Sequence, residues 1–108
     1  MILYGIPSCD TCRKARKALA AAGHDVTFRD VRAQPLSPAE LAALLAEFGD
    51  KLVNRASTSW RGLSEAERAR PAADLLAEHP ALMKRPVVED GGRRTLGWAA
   101  AAQAAWGL

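Results

Sequence analysis

ILYGIPSCDTCRKARKAL, residues 2–19, decides how this chain is read. Ile2, Leu3 and Tyr4 form a short strand-like run that Gly5 and Pro7 end. Ser8 and Asp10 are candidate N-caps for a helix reaching to about Ala22. Ala15, Ala18, Leu19 and Ala22 recur at helical spacing and make its apolar face, and Gly23 stops it. Residues 26–31 alternate, with Val26, Phe28 and Asp30 set against Thr27, Arg29 and Val31, and predict a second strand. Strand, helix, strand is a βαβ unit, which requires parallel strands and a right-handed crossover.

Cys9 and Cys12 stand at the strand-to-helix junction of that unit. They can be a redox pair, half of a metal site, or two inert thiols. Structural zinc takes four ligands. Here there are two cysteines, and His24 and His79 are not spaced as a second pair, so no metal is expected. The inert reading is weakened by position. The attacking species in thiol chemistry is the thiolate, and free N–H groups at a helix start stabilise it. Arg13, Lys14, Arg16 and Lys17 add positive charge to the same helix. Cys9 is therefore the expected nucleophile and Cys12, one turn on, the resolving thiol. Thr11, between them, is first a capping residue and second a donor to the Cys9 thiolate.

The rest of the chain predicts one domain of order βαβ, helices, ββα. Ser37, Pro38 and Glu40 punctuate the start of a helix as a capping box, with Leu41, Leu44, Leu45 and Phe48 as its buried stripe and Gly49 as its stop. KLVNRASTSWRGL (51–63) reads as a loop, SEAERAR as a short helix capped by Ser64, and PAADLLAEHPALM as another interrupted by Pro80. RPVVED is a strand opened by Pro86, Gly91-Gly92 a hairpin turn, RRTLGW its partner, and Trp98 to Trp106 a final helix. His24 is expected to be exposed, and His79 is expected in a turn. Trp98 and Trp106 are expected to pack, and Trp60 either shapes a pocket or plugs the core. With 108 residues, 49% hydrophobic, one core is feasible. The net charge of +3 favours small anions or acidic surfaces and is too small to argue for nucleic acid. No apolar run is long enough to span a membrane and no secretion signal is visible, so a cytoplasmic setting is expected.

YGIPSCDTCRKARKAL, the LVNRASTSWRGL loop and LMKRPVV, in this order over nearly the whole chain, resemble the arsenate reductase/Spx family, and within it the YffB-like branch of small reductases. The resemblance implies an α/β, thioredoxin-like fold. It has a four-stranded mixed sheet flanked by helices and a helical insertion at about 37–83 that caps the active site. It places Cys9 at the catalytic cysteine, Pro86 at the cis proline beside it, and Arg85 at an anion-binding arginine. Guanidinium suits the oxygens of arsenate or a glutathione carboxylate. Cys12 stands where many relatives carry another residue and permits an internal disulfide, as in Spx-like members. Relatives commonly carry an arginine at the position of Ala56. Here Arg55 is the neighbouring arginine, with Arg61 a further candidate for the anion site and Arg93 or Arg94 a stand-in for a C-terminal one.

The implied activity is a glutathione-linked thiol-disulfide oxidoreductase, with true arsenate reduction as an alternative. The substrate would be glutathione, a small thiol or oxyanion, or a protein disulfide. Glutathione would be a co-substrate, with no bound cofactor, no direct nucleic-acid or membrane contact, and a monomeric state. A second implied function is an Spx-type regulator, whose cysteine pair senses oxidation and whose surface binds the RNA polymerase alpha subunit.

Overall fold

The computed structural model describes all residues, 1–108. In chain order the elements are β1 (Ile2–Gly5), α1 (Asp10–Ala21), β2 (Thr27–Asp30), α2 (Pro38–Phe48), α3 (Thr58–Arg61), α4 (Glu65–Arg68), α5 (Ala72–Glu78), β3 (Val87–Asp90), β4 (Arg93–Leu96) and α6 (Ala100–Ala105). Short 3-10 turns cover Gly49–Leu52 and Pro80–Leu82. No helix is long and apolar enough to cross a membrane. Two compact units divide the chain, one of residues 1–31 with 85–108, the other of residues 32–84.

The first unit holds the whole sheet, in the order β2-β1-β3-β4. β1 runs parallel to β2 and antiparallel to β3, and β3 forms a hairpin with β4. This is the mixed sheet of a thioredoxin-like α/β fold. The two central strands carry the continuous apolar residues: Leu3, Val87 and Val88 are fully buried, while the edge strands β2 and β4 are half-exposed. Leu3 and Val88 meet Cys12, Ala15 and Leu19 of α1 and Trp106 in one core cluster. Burying a leucine such as Leu19 is worth roughly 1.5–3 kcal/mol, so the apolar face of α1 fixes how the helix lies on the sheet. Gly91 and Gly92, at φ 57° and 83°, supply the left-handed pair that a two-residue hairpin needs.

Two expectations change in this unit. The N-cap of α1 is Cys9 itself, not Ser8 or Asp10. The turn after β1 closes through the Cys9 N–H donating to the Ile6 carbonyl at 3.0 Å, which brings Cys9 to the cap. Asp10 becomes the first helical residue and pairs with Arg13. His24 is half-buried rather than exposed. Gly23 adopts φ 93° and turns the chain so that His24 Nε2 donates to the Trp106 carbonyl at 3.0 Å, its ring edge-on to that indole. Trp106 in turn donates from Nε1 to Thr95 Oγ1 at 2.8 Å, so it packs as expected while its polar edge is satisfied.

In the second unit the capping box of α2 is complete. Ser37 Oγ accepts from the Glu40 N–H at 3.1 Å and Glu40 Oε1 from the Ser37 N–H at 2.8 Å. Leu41 and Leu44 are buried, and Leu45 and Phe48 are half-buried. Leu52, Val53, Leu75, Leu76, Leu82 and Met83 complete the buried set. The segment 51–63 is not simply a loop. The Gly49–Leu52 turn opens it, and α3 forms where Ser57 caps by accepting from the Trp60 N–H at 3.1 Å. Ser57, Thr58 and Ser59 follow one another in ASTSWRG, so the sequence does not single out which of them caps a turn. Arg70 binds Glu78 with both terminal nitrogens, at 2.6 and 2.9 Å, and Glu67 at 3.0 Å, tying α4 to α5.

Candidate active site

Register and turn geometry assemble the site. β1 and β3 pair with Ile2 opposite Glu89, Leu3 opposite Val88 and Tyr4 opposite Val87. Continued by two residues, that register carries Pro86 and Arg85 to the end of β1, where Gly5 and Ile6 lead into the turn before Cys9. The Arg85–Pro86 peptide is cis. Pro86 is fully buried, and its carbonyl accepts from the Gly97 N–H at 2.9 Å, which holds this junction against the end of β4.

Cys9 is half-exposed and Cys12 fully buried, and both are free thiols. As the N-cap, Cys9 has extended backbone and its carbonyl accepts from the Arg13 N–H at 3.0 Å. Its sulfur makes no cap hydrogen bond as a thiol, but the groups around it favour the thiolate. Partial burial raises the Cys9 pKa. The Cys12 backbone N–H, the Cys12 thiol as donor, and the Arg85 guanidinium through hydrogen bond and charge outweigh that burial and hold it below the ordinary thiol value. Cys12 goes the other way. Burial, with smaller contributions from Cys9, pushes its pKa up to about 11, although the Ile6 backbone N–H and Arg85 favour its thiolate. Two thiols one helical turn apart are thus separated into an ionisable, accessible sulfur and a protonated, buried one. The first can attack, and the second donates to it and can attack later.

The structure brings Cys9, Cys12, Arg85 and Pro86 together in the first unit. Thr11 lies beside them in sequence, exposed in the first turn of α1. Arg13, Lys14, Arg16 and Lys17 are all exposed, and Arg16 lies over the Phe28 ring at 5.3 Å. Arg55 and Arg61 belong to the second unit, where each is engaged locally. Arg55 lies over the Trp60 ring at 5.3 Å and Arg61 Nη2 donates to the Ala56 carbonyl at 2.9 Å. Arg68 stacks on the same indole at 5.7 Å. Trp60 is half-buried under these cations. Arg93 donates to the Ala105 carbonyl at 2.6 Å and Arg94 pairs with Glu89 at 3.0 Å, so both are bound to their own unit. Two further groups beside Cys12 are not legible in the sequence: the Ile6 N–H, which favours its thiolate, and Gly5, whose Cα lies against its sulfur.

Comparison with known proteins points to one family. The profile of the ArsC family matches residues 4–105. A functionally uncharacterised protein of Haemophilus influenzae is 38% identical over 101 residues, covering 89% of each chain. The global transcriptional regulator Spx of Bacillus subtilis is 35% identical over 104 residues, covering 89% of this chain and 78% of Spx. Among solved structures, the YffB protein superposes with a TM-score of 0.88 at 38% identity, covering 96% of both chains. An arsenate reductase (ArsC) related protein of Brucella melitensis gives a TM-score of 0.76 at 36% identity, covering 96% of this chain and 91% of its own. A match over nearly the full length, on a sheet that places a cysteine pair beside a cis proline and its arginine, makes this chain a member of the ArsC family.

Proposed function

We propose that the protein is a thiol-disulfide oxidoreductase that uses Cys9 as nucleophile, Cys12 as resolving thiol and glutathione as reductant. The observation that carries this reading is the placement of the two thiols: Cys9 accessible at the N-cap of α1, Cys12 fully buried one turn on, and the cis Arg85–Pro86 junction beside them, an arrangement that favours the thiolate at Cys9 and the thiol at Cys12. The likeness to arsenate reductase-related structures supports a reductase of this kind.

In the reaction, the Cys9 thiolate attacks one sulfur of a substrate disulfide. A Cys9–substrate mixed disulfide forms and the other substrate sulfur leaves as a thiolate, which takes up a proton. Cys12 then loses its proton and attacks the Cys9 sulfur, releasing the second substrate thiol and leaving a Cys9–Cys12 disulfide. Two glutathione thiols reduce that disulfide and leave as oxidised glutathione. Atoms and electrons balance: one disulfide is reduced to two thiols while two glutathiones become one disulfide. Arg85 stabilises the Cys9 thiolate and presents a guanidinium to an anionic group of the substrate, such as a glutathione carboxylate. Reduction of a small mixed disulfide by glutathione tests this. Wild type turns over, Cys9→Ser does not, and Cys12→Ser turns over only through direct attack of glutathione on the mixed disulfide. Turnover retained in Cys9→Ser overturns the reading.

A second reading has its own support in the similarity to Spx regulators. There the same two sulfurs would form a disulfide on oxidation and change a binding surface for RNA polymerase, with no turnover. Oxidation of the pair without catalysis, together with capture of the polymerase alpha subunit, would favour it. Arsenate as the oxidised substrate is the third possibility, and an arsenate-dependent glutathione oxidation assay decides it.

A further inference from the structure

Gly5 faces the Cys12 sulfur. A Cβ built on Gly5 would lie 2.6 Å from Cys12 Sγ, 3.2 Å from Cys12 Cβ and 3.2 Å from Leu3 Cδ2. The first distance is far inside van der Waals contact, and the sulfur belongs to a fully buried side chain with nowhere to swing freely. Gly5 is not among the glycines at positive φ, so its backbone is one that any residue adopts. It also sits within β1, paired with Asp30 of β2, where a glycine weakens a strand. What the position demands is space alone, and the Cys12 sulfur takes most of it, with Cys12 Cβ and Leu3 Cδ2 tight but farther off.

We infer that Gly5 is a positioning residue for the thiol pair: the missing side chain is the seat of the Cys12 sulfur. A side chain there drives that sulfur off the place from which it donates to Cys9. The inference rests on reading Cys9 and Cys12 as a working pair, and it extends that reading into β1. The seat has two walls, the bare Cα of Gly5 and the Ile6 N–H that donates toward the same sulfur. Their effect on Cys9 passes through Cys12, whose thiol and backbone N–H both favour the Cys9 thiolate.

The test is site-resolved alkylation of Cys9 as a function of pH, followed by mass spectrometry, in wild type, Gly5→Ala, Cys12→Ala and the double variant. It reads no turnover, so it stands apart from whether the protein reduces disulfides with glutathione. Gly5→Ala should move the Cys9 midpoint upward in the same direction as Cys12→Ala. The double variant should titrate like Cys12→Ala alone, because the sulfur to be displaced is already gone. A Gly5→Ala midpoint equal to wild type, or a shift that adds to that of Cys12→Ala, overturns the inference. Should Gly5→Ala fail to fold, thermal melting of the double variant decides. Folding restored by removing the Cys12 sulfur supports the seat, and a double variant that also fails shows that the space serves something else.

Discussion

The Arg85 guanidinium reaches the Cys9 sulfur because the β1–β3 register, with Tyr4 opposite Val87, delivers residue 85 to the turn that precedes the cysteine. One residue of slip in this antiparallel pair would move residue 85 along β1 and turn each β3 side chain to the opposite face. The register therefore also fixes the charge beside the thiol.

Removing that charge should make Cys9 a weaker thiolate. In Arg85→Ala the Cys9 alkylation midpoint should rise toward the ordinary thiol range, and its rate at neutral pH should fall by about tenfold, the scale of one charge-assisted hydrogen bond. Arg85→Lys keeps the charge without the planar donor set and should fall between the two. The pH–rate profile of alkylation reads both.

Cys12 makes stability depend on alkaline pH. Its folded pKa is raised from the ordinary 9.0 to about 11, so above pH 9 the unfolded chain gives up this proton before the folded one does. The contribution to stability is complete below pH 9 and is lost as pH climbs toward 11, by an amount of the order of 2 kcal/mol. Denaturant midpoints at pH 8 and pH 10.5 should therefore fall further in wild type than in Cys12→Ala. Equal falls would show that Cys12 ionises as readily in the folded protein as in the unfolded one.

The second unit has its own point of weakness in the capping box of α2. Ser37→Ala removes the oxygen that accepts from the Glu40 N–H and should cost about 1 kcal/mol. Cys9 alkylation should be unchanged in this variant. Ser37→Asp should recover most of the loss in a denaturant titration, since it restores an acceptor at the cap.

Strong periodicity and punctuation made most of the fold legible. The apolar face of α1, the capping box at Ser37 and Glu40, and the Gly91-Gly92 hairpin each have one physical solution, and each is found. Of the two single capped turns, α4 is legible from the Ser64 cap ahead of its charged run, whereas α3, Thr58–Arg61, is not, since nothing in ASTSWRG repeats. The cap of α1 was misplaced by one residue because Ser8 and Asp10 are better capping types than cysteine, whereas the turn closed by the Cys9 N–H on the Ile6 carbonyl decides the matter. The pairing of Arg85 with Cys9 came from resemblance rather than from spacing, since only the sheet register joins them. The Gly5 contact was hidden because a glycine after a short apolar run reads as a strand end, and what it makes room for appears only in three dimensions.

The central claim is that the fold makes Cys9 a reactive thiolate and keeps Cys12 protonated. Alkylation of the wild-type protein across pH, with each cysteine assigned by mass spectrometry, tests it most directly. The account predicts a Cys9 midpoint below that of an unstructured cysteine peptide, with Cys12 unmodified until the pH is strongly alkaline or the protein is unfolded. A Cys9 midpoint at or above that of the peptide, or Cys12 reacting first, would contradict it.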